Sequence, residues 1–254
     1  MHETLLDDRT RILGPDHPDT LTARGNLAGA YQEAGHLSTA IAMHETLLDD
    51  RTRILGPDHP HTLTTRHNLA TAYQAAGHLS TAIAMHETLL ADHTRVLGPD
   101  HPDTLTTRNN LALAYQEARH LSKAIDMYQA LLTDRTRILG PDHPHTLATR
   151  HNLATTHHES GNLQKAIAMH ETLLDDQTRA LGPDHPYTLI ARNNLATAHR
   201  DAGNLPKVVA LRHQAALANK ARIPGPDHPK EGTVSSALPN PQKDIWRRRN
   251  RKSR

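Results

Sequence analysis

A six-residue string, Leu-Gly-Pro-Asp-His-Pro, occurs five times in this chain at an unvarying interval of 42 residues. The copies occupy residues 13–18, 55–60, 97–102, 139–144 and 181–186. When residues 19–60 are aligned with residues 61–102, 34 of the 42 positions are identical. Self-similarity at such a period is typical of arrays in which each small unit packs against its neighbours. The chain is therefore predicted to form a repeat array rather than one globular core.

Each unit has the sequence pattern of two helices. In the first repeat, Pro18 suits a first helical turn, and either Asp16 or His17 can cap that turn. Leu and Ala then recur at the spacing of one helical face, and Gly35 predicts a left-handed helix end. A second apolar stripe continues as far as Gly56, which ends it. We therefore predict an all-α fold of stacked helix pairs, at about 19–55, 61–97, 103–139, 145–181 and 187–220.

The repeats divide the 254 residues into three parts. Residues 1–18 match the end of a second helix and its loop, which favours a fragment of a longer array over a frayed end. Residues 19–229 contain the five repeats, of which the last is degenerate. Residues 230–254 have a formal charge of +6, against −4 for the rest, and are rich in Pro, Ser, Asn and Arg. This composition predicts a basic disordered tail.

The composition argues against several classes of function. Cysteine is absent, which excludes a thiol nucleophile and a Cys-based zinc site. Most of the 22 His residues are copies of the same repeat positions, so we expect no metal site, no cofactor and no enzyme activity. No apolar run is long enough to span a membrane. Because the acidic first residues do not resemble a signal peptide, we expect a cytoplasmic protein.

The unit resembles the tetratricopeptide repeat. In the second repeat Asn68, Leu69, Ala70 and Tyr73 form the pattern Asn-Leu-Ala-x-x-Tyr, and Gly and Ala follow at the family's later positions. The 42-residue period, with His-Pro-x-Thr-Leu before this pattern, is similar to the kinesin-light-chain variety. The resemblance covers about residues 1–229, and the Arg-rich, Lys-poor and Phe-free composition leads us to expect a bacterial member. It implies a right-handed superhelical solenoid whose concave wall, formed by the first helices, binds protein or peptide.

The sequence departs from this pattern at several positions. The departures are Arg119 in place of Gly, His157 and His199 in place of Tyr, and His44, His86 and His170 where many members carry an aromatic residue. We expect them to weaken local packing and leave the architecture unchanged. A regularly repeated Arg, Arg24 in the first repeat, lies on the Leu/Tyr side of its helix. We expect these Arg residues to extend towards solvent or to pair across repeats.

One Asn recurs at the same position of every first helix, and by the resemblance it faces the groove. This Asn row is Asn26, Asn68, Asn110, Asn152 and Asn194. A carboxamide both donates and accepts, so it can pair with an extended peptide backbone of any sequence. Alternatively, the Asn residues bond between neighbouring helices and hold the array together.

Positions beside the Asn row differ among repeats, which indicates either ligand preference or neutral variation. The preceding row is Gly25, His67, Asn109, His151 and Asn193. The row three residues after the Asn is Gly29, Thr71, Leu113, Thr155 and Thr197. Gln74 and Gln116 complete the predicted peptide-binding surface.

The sequence thus predicts a protein-interaction scaffold that binds an extended peptide or partner surface in its groove. A first alternative is a sensor fragment of a nucleotide-binding signalling ATPase, although this chain contains no phosphate-binding loop. A second alternative is nucleic-acid binding through the tail, residues 243–254, by release of counterions. Neither the identity of the partner nor an oligomeric state follows from the sequence.

Overall fold

The computed structural model describes the backbone of residues 2–222 and the side chains of residues 2–213, and this part of the chain contains eleven helices and no strand. The helices are α1 (His2–Leu13), α2 (Pro18–Glu33), α3 (Leu37–Leu55), α4 (Pro60–Ala75), α5 (Leu79–Leu97), α6 (Pro102–Glu117), α7 (Leu121–Leu139), α8 (Pro144–Glu159), α9 (Leu163–Leu181), α10 (Pro186–Asp201) and α11 (Leu205–Arg222). The predicted all-α architecture is confirmed. The tail predicted at residues 230–254 lies outside the described residues.

Each first helix begins at the Pro of the repeated string, and the preceding His caps it. In α2 the Nδ1 atom of His17 accepts a hydrogen bond from the backbone N–H of Asp19 at 3.2 Å. The equivalent bonds in α4, α6, α8 and α10 measure 3.1–3.2 Å. Of the two predicted caps, His17 is therefore the one used. Asp16 instead accepts a hydrogen bond of 2.8 Å from Arg53.

The turn between the two helices of a repeat uses the left-handed conformation. Gly35 has φ = 83°, as predicted, and the equivalent Gly77 has φ = 79°. In the third repeat Arg119 takes this position with φ = 62°, and it is the one non-glycine residue with a positive φ among the described residues. The side chain at this position therefore changes while the backbone path is retained.

The core lies between the first and second helices and is built mainly from Leu and Ala. Four equivalent leucines of the second helices are 0–1% exposed: Leu47, Leu89, Leu131 and Leu173. The small Ala28 and Ala40 are fully buried, which lets the helices of a pair approach closely. A further buried position in four second helices, α3, α5, α7 and α9, is polar. It is occupied by His44, His86, Tyr128 and His170.

Successive helices pack against each other along the whole series from α1 to α10. The first helices of neighbouring repeats also touch one another, as α2 does α4 and α6 does α8. Among the described residues, the second helices of neighbouring repeats make no comparable contact. Because the first helices lie closer together, the stack curves around them. The first helices therefore form its inner, concave face.

The regularly repeated Arg pairs within its own repeat in α2, α4, α6 and α8, whereas the sequence suggested solvent or a pair across repeats. Arg192 of α10 instead lies 3.5 Å from the backbone oxygen of Pro183. Arg24 of α2 donates to Asp50 of α3 at 2.5 Å, and Arg66 of α4 likewise contacts Asp92 of α5. The hydrogen bond from Arg24 lowers the pKa of Asp50. The sequence did not show which way these Arg side chains point. They extend towards the second helix of their own repeat.

Candidate peptide-binding groove

The Asn row runs along the inner face, one residue per first helix, but its members have different surroundings. Asn26 is exposed, Asn68 is half-buried and Asn110 is only 5% exposed. Since a ligand needs access to the carboxamide, the five residues are not equivalent as binding groups. Hydrogen bonding separates the same residues: the last three Asn residues contact a neighbouring repeat, and the first two do not.

Three members of the Asn row lie within hydrogen-bond distance of a residue in the previous repeat. In each case that residue is the one just before the Asn of the previous repeat. The Nδ2 atom of Asn152 donates to Oδ1 of Asn109 at 3.4 Å. The Nδ2 atom of Asn194 lies 3.4 Å from Nε2 of His151. The equivalent distance from Asn110 to His67 is 3.5 Å. These contacts correspond to the structural alternative, in which Asn links neighbouring helices.

The first two Asn residues have no such partner. Among the described residues, the side chains of Asn26 and Asn68 make no hydrogen bond. The reason for Asn68 lies in the repeat before it, where Gly25 occupies the position that carries His67, Asn109 and His151 elsewhere. Glycine offers no side-chain acceptor. The amide of Asn68 therefore remains available to a ligand.

A second row of hydrogen bonds crosses the repeats at the C-terminal ends of the first helices. Gln74 donates to Glu117 at 2.8 Å. Gln116 donates to Glu159 at 2.8 Å, and its Oε1 atom accepts a bond of 3.0 Å from Thr156. Gln116 is only 8% exposed. Both Gln residues predicted to contact ligand are thus used between repeats.

In the fourth repeat a His takes the place of the Gln. The Nε2 atom of His158 lies 3.0 Å from the carboxylate of Asp201 in the next repeat. We call the last residue of each first helix, which is the accepting position of these contacts in the later repeats, the rim row. It consists of Glu33, Ala75, Glu117, Glu159 and Asp201. This row was missed by the sequence interpretation, although an acidic residue at the last position of four of the five first helices is a readable signal.

The remaining predicted residues lie along the same face. Thr71 and Leu113 are half-buried, and the Thr71 hydroxyl donates within its own helix, to the backbone oxygen of His67 at 2.8 Å. The hydroxyl oxygen of Thr155 is buried without a hydrogen-bond partner among the described atoms. Asn193 is exposed. Thr71, Leu113 and Asn193 are therefore at least partly accessible from the inner side.

Beneath the preceding row, histidine rings fill the core. The rings of His67 and His86 are 6.1 Å apart, and those of His151 and His170 are 6.0 Å apart. Neither ring nitrogen of His86 has a hydrogen-bond partner among the described atoms, and burial lowers its pKa to about 3. Burial likewise lowers the pKa values of His44 and His170 to about 4. These rings are neutral near pH 7.

The described residues contain neither a cluster of three metal-ligating side chains nor a membrane-spanning helix. No group of at least three His, Asp or Glu side chains is placed to hold an ion. Within residues 2–222, no helix combines the length and the apolar composition that crossing a bilayer requires. The basic residues 243–254, predicted as an alternative nucleic-acid contact, lie outside the described residues.

The family is established by a model of the tetratricopeptide repeat. That model matches five overlapping segments: residues 1–52, 37–91, 79–136, 123–176 and 158–211. The chain is a tetratricopeptide repeat protein. Its helix pairs form the right-handed superhelical solenoid of that family, and proteins with this architecture are interaction scaffolds that take protein or peptide partners. The comparison with curated proteins returns no match.

Solved structures place this tetratricopeptide repeat protein among kinesin-light-chain-like arrays. One is a Podosopora anserina protein described as a kinesin light chain with nearly identical TPR-like repeats, which is 28% identical with a TM-score of 0.73. The match covers 82% of this chain and 99% of that one. BtubC (BKLC) from P. vanneervenii is 20% identical with a TM-score of 0.73, over 94% of this chain and 95% of its own. The latter similarity is one of fold.

Proposed function

We propose that this protein is a scaffold that binds an extended peptide segment of a partner protein along the concave face of its first helices. The observation that carries the proposal is that the Asn row runs along this inner face and that two of its members, Asn26 and Asn68, make no side-chain hydrogen bond among the described residues. A carboxamide pairs with peptide N–H and C=O groups alike. Packed helices are typically about 8–10 Å apart, a distance that about three residues of an extended chain span.

The groove is polar and nearly free of cationic side chains. Its floor carries Asn, Thr, His and Gly together with the apolar Leu113, and its rim row is acidic at four of five positions. Such a surface suits a backbone-directed contact with a neutral or basic segment rather than an acidic one. The sensor fragment of a signalling ATPase and nucleic-acid binding through residues 243–254 remain predictions from the sequence.

The test selects peptides of about twelve residues, about 40 Å when extended, from a random displayed library against the full chain. Binding is then measured for three inner-face variants, Thr71→Arg, Leu113→Arg and Thr155→Arg. Matched substitutions on exposed positions of second helices are Thr46→Arg, Thr88→Arg and Thr172→Arg. We expect at least one inner variant to lose about tenfold in affinity and every outer variant to bind normally. Equal losses on both faces, or a library that yields no binder, would refute groove binding.

A further inference from the structure

A separate row of contacts joins each second helix to the first helix that follows it, at positions that the groove does not use. At three of these junctions the hydroxyl of a first-helix Tyr donates to a Glu of the preceding second helix. The pairs are Tyr31–Glu3, Tyr73–Glu45 and Tyr115–Glu87. Between α9 and α10, the Nε2 atom of His199 lies 3.6 Å from the carboxylate of Glu171. Four junctions thus hold a carboxylate against a ring of the next helix.

The junction between α7 and α8 lacks this contact because both of its residues differ. His157 takes the place of the Tyr, and the neutral Gln129 takes the place of the Glu. Neither side chain makes a hydrogen bond or an ion pair among the described residues. His199 shows that a His at this position still comes near a carboxylate when the second helix supplies one. What the α7–α8 junction lacks is therefore the carboxylate.

The ring of His157 is buried and its polar atoms have no partner. The residue is only 3% exposed, and neither Nδ1 nor Nε2 has a hydrogen-bond partner among the described atoms. Burial of a polar group without a partner is unfavourable, so the ring favours a ligand that accepts its N–H. The core rings of His44 and His86 also lack partners, but no described repeat forms an ion pair at their position. His157 differs because its equivalents meet a carboxylate.

A cation lies beside this ring. Burial, and after it the positive charge of Lys165 on α9, lower the pKa of His157. In the preceding repeat the equivalent Lys123 lies 5.0 Å from the ring centre of Tyr115, at a junction where Glu87 is also present. Lys165 forms no ion pair among the described residues. The α7–α8 junction therefore keeps the cation of this arrangement and lacks its anion.

The site can be reached from solvent. Gln129 and Lys165, at the two positions that flank the ring, are both exposed. A ligand therefore reaches His157 by displacing flexible side chains rather than backbone. Asp126, one turn before Gln129 on α7, makes no ion pair among the described residues and so does not supply the missing charge.

We propose that the α7–α8 junction binds a carboxylate of a partner protein, which takes the place that Glu occupies at the other junctions, accepts a hydrogen bond from His157 and pairs with Lys165. The carboxylate belongs to an Asp or Glu side chain or to a chain terminus. The site goes beyond the proposed function because it uses none of the groove residues. It lets the scaffold hold an acidic segment independently of the groove ligand.

The test titrates the full chain at neutral pH and constant ionic strength with small carboxylates. N-acetylglutamic acid amide offers a side-chain carboxylate, N-acetylglycine offers a terminal one, and N-acetylglutamine amide is the neutral control. The readout is the NMR signal of the His157 ring, assigned by its loss in His157→Tyr. We expect a saturable shift with at least one carboxylate and none with the neutral amide, and the tighter carboxylate identifies the source. No shift with either carboxylate, or an equal shift with the neutral amide, would overturn the inference.

Variants at the site make the test specific. Gln129→Glu supplies the carboxylate from the chain itself, so it should raise the thermal midpoint by about 2–4 °C and abolish the shift. Gln129→Ala is its matched control and should still respond to the carboxylates. Lys165→Gln should weaken binding about threefold, whereas Lys123→Gln, at the junction that already has Glu87, should not. If Gln129→Glu responds as the parent protein does, the carboxylate binds elsewhere and the inference is wrong.

Discussion

Gln116 of α6 donates a hydrogen bond of 2.8 Å to Glu159 of α8 while its own carbonyl oxygen accepts a bond from Thr156. Both ends of one carboxamide therefore link the third repeat to the fourth, and the side chain is only 8% exposed. The same position in the first repeat, Gln32, makes no such bond among the described residues. One repeated residue thus has a structural role in one unit and is free in another.

Gln116→Ala should therefore destabilise the array. It removes two hydrogen bonds, one of them to a carboxylate, and should lower the free energy of unfolding by about 1–3 kcal/mol. Gln32→Ala is the matched control and should change it by less than about 0.5 kcal/mol. Urea unfolding at neutral pH measures both. Equal effects of the two substitutions would show that the inter-repeat bonds carry no stability.

Arg119 offers a second prediction because it occupies a left-handed position, with φ = 62°. A non-glycine residue there costs roughly 1–2 kcal/mol, whereas glycine does not pay this cost. Its ion pair with Glu159 is 3.0 Å long, but the Arg side chain is 65% exposed, so this pair contributes little. We expect Arg119→Gly to raise the free energy of unfolding by about 1 kcal/mol.

The control for this experiment is Arg119→Ala, which removes the ion pair and keeps the backbone conformation unfavourable. The thermal midpoint of Arg119→Ala should equal that of the parent protein or lie slightly below it, and the midpoint of Arg119→Gly should lie above it. If both variants lie below the parent, the ion pair with Glu159 outweighs the backbone cost, and the interpretation is wrong.

The helices could be predicted from the sequence because their signals are local. The Pro and Gly of each repeat mark helix ends within one or two residues of where the structure has them, and the family pattern implied how the pairs stack. The choice of His17 over Asp16 as the cap was not readable, since both side chains can accept a hydrogen bond. It depends on Asp16 being taken by Arg53, a residue of the following second helix.

The division of the Asn row was harder to predict because it depends on residues in neighbouring repeats. The partner of Asn152 is Asn109, 43 positions earlier, one more than the repeat period. This offset arises from how neighbouring first helices are rotated and shifted in the superhelix, which no single repeat reveals. With this offset of 43 positions, the partner position of Asn68 is Gly25, which has no side-chain acceptor, so the Asn68 side chain makes no hydrogen bond among the described residues.

The His caps make a third prediction. His143 precedes α8 and accepts from the backbone N–H of His145 at 3.1 Å through Nδ1. Asp is a better cap than most residues, and its negative charge also interacts favourably with the N-terminal end of the helix dipole. His143→Asp should therefore raise the free energy of unfolding by about 0.5–1 kcal/mol, whereas His143→Ala should lower it by about 1 kcal/mol. Thermal unfolding measures both variants. If the midpoint of His143→Asp is lowered as much as that of His143→Ala, His143 does not act as a cap.

The buried His residues predict that the array loses stability in acid. Burial lowers the pKa of folded His86 to about 3, against an ordinary value of 6.5. Below about pH 6.5 the unfolded chain binds a proton that the folded protein excludes, so stability falls as the pH falls towards the folded pKa. Above that pH the ring is neutral in both states and has no effect. Each such His should cost about 1.4 kcal/mol per pH unit, or about 2 kcal/mol by pH 5.

His86→Tyr tests this, since α7 carries the fully buried Tyr128 at the equivalent position. A phenol does not gain a proton in this range, so the variant should lose less stability than the parent between pH 7 and pH 5, by about 2 kcal/mol. His2→Tyr is the control at the same repeat position, because His2 is exposed on α1. Urea unfolding at several pH values between 7 and 5 gives the slope of the free energy of unfolding against pH for each protein. If His86→Tyr and the parent have the same slope, the proton does not enter at this ring, and acid acts on the exposed histidines instead.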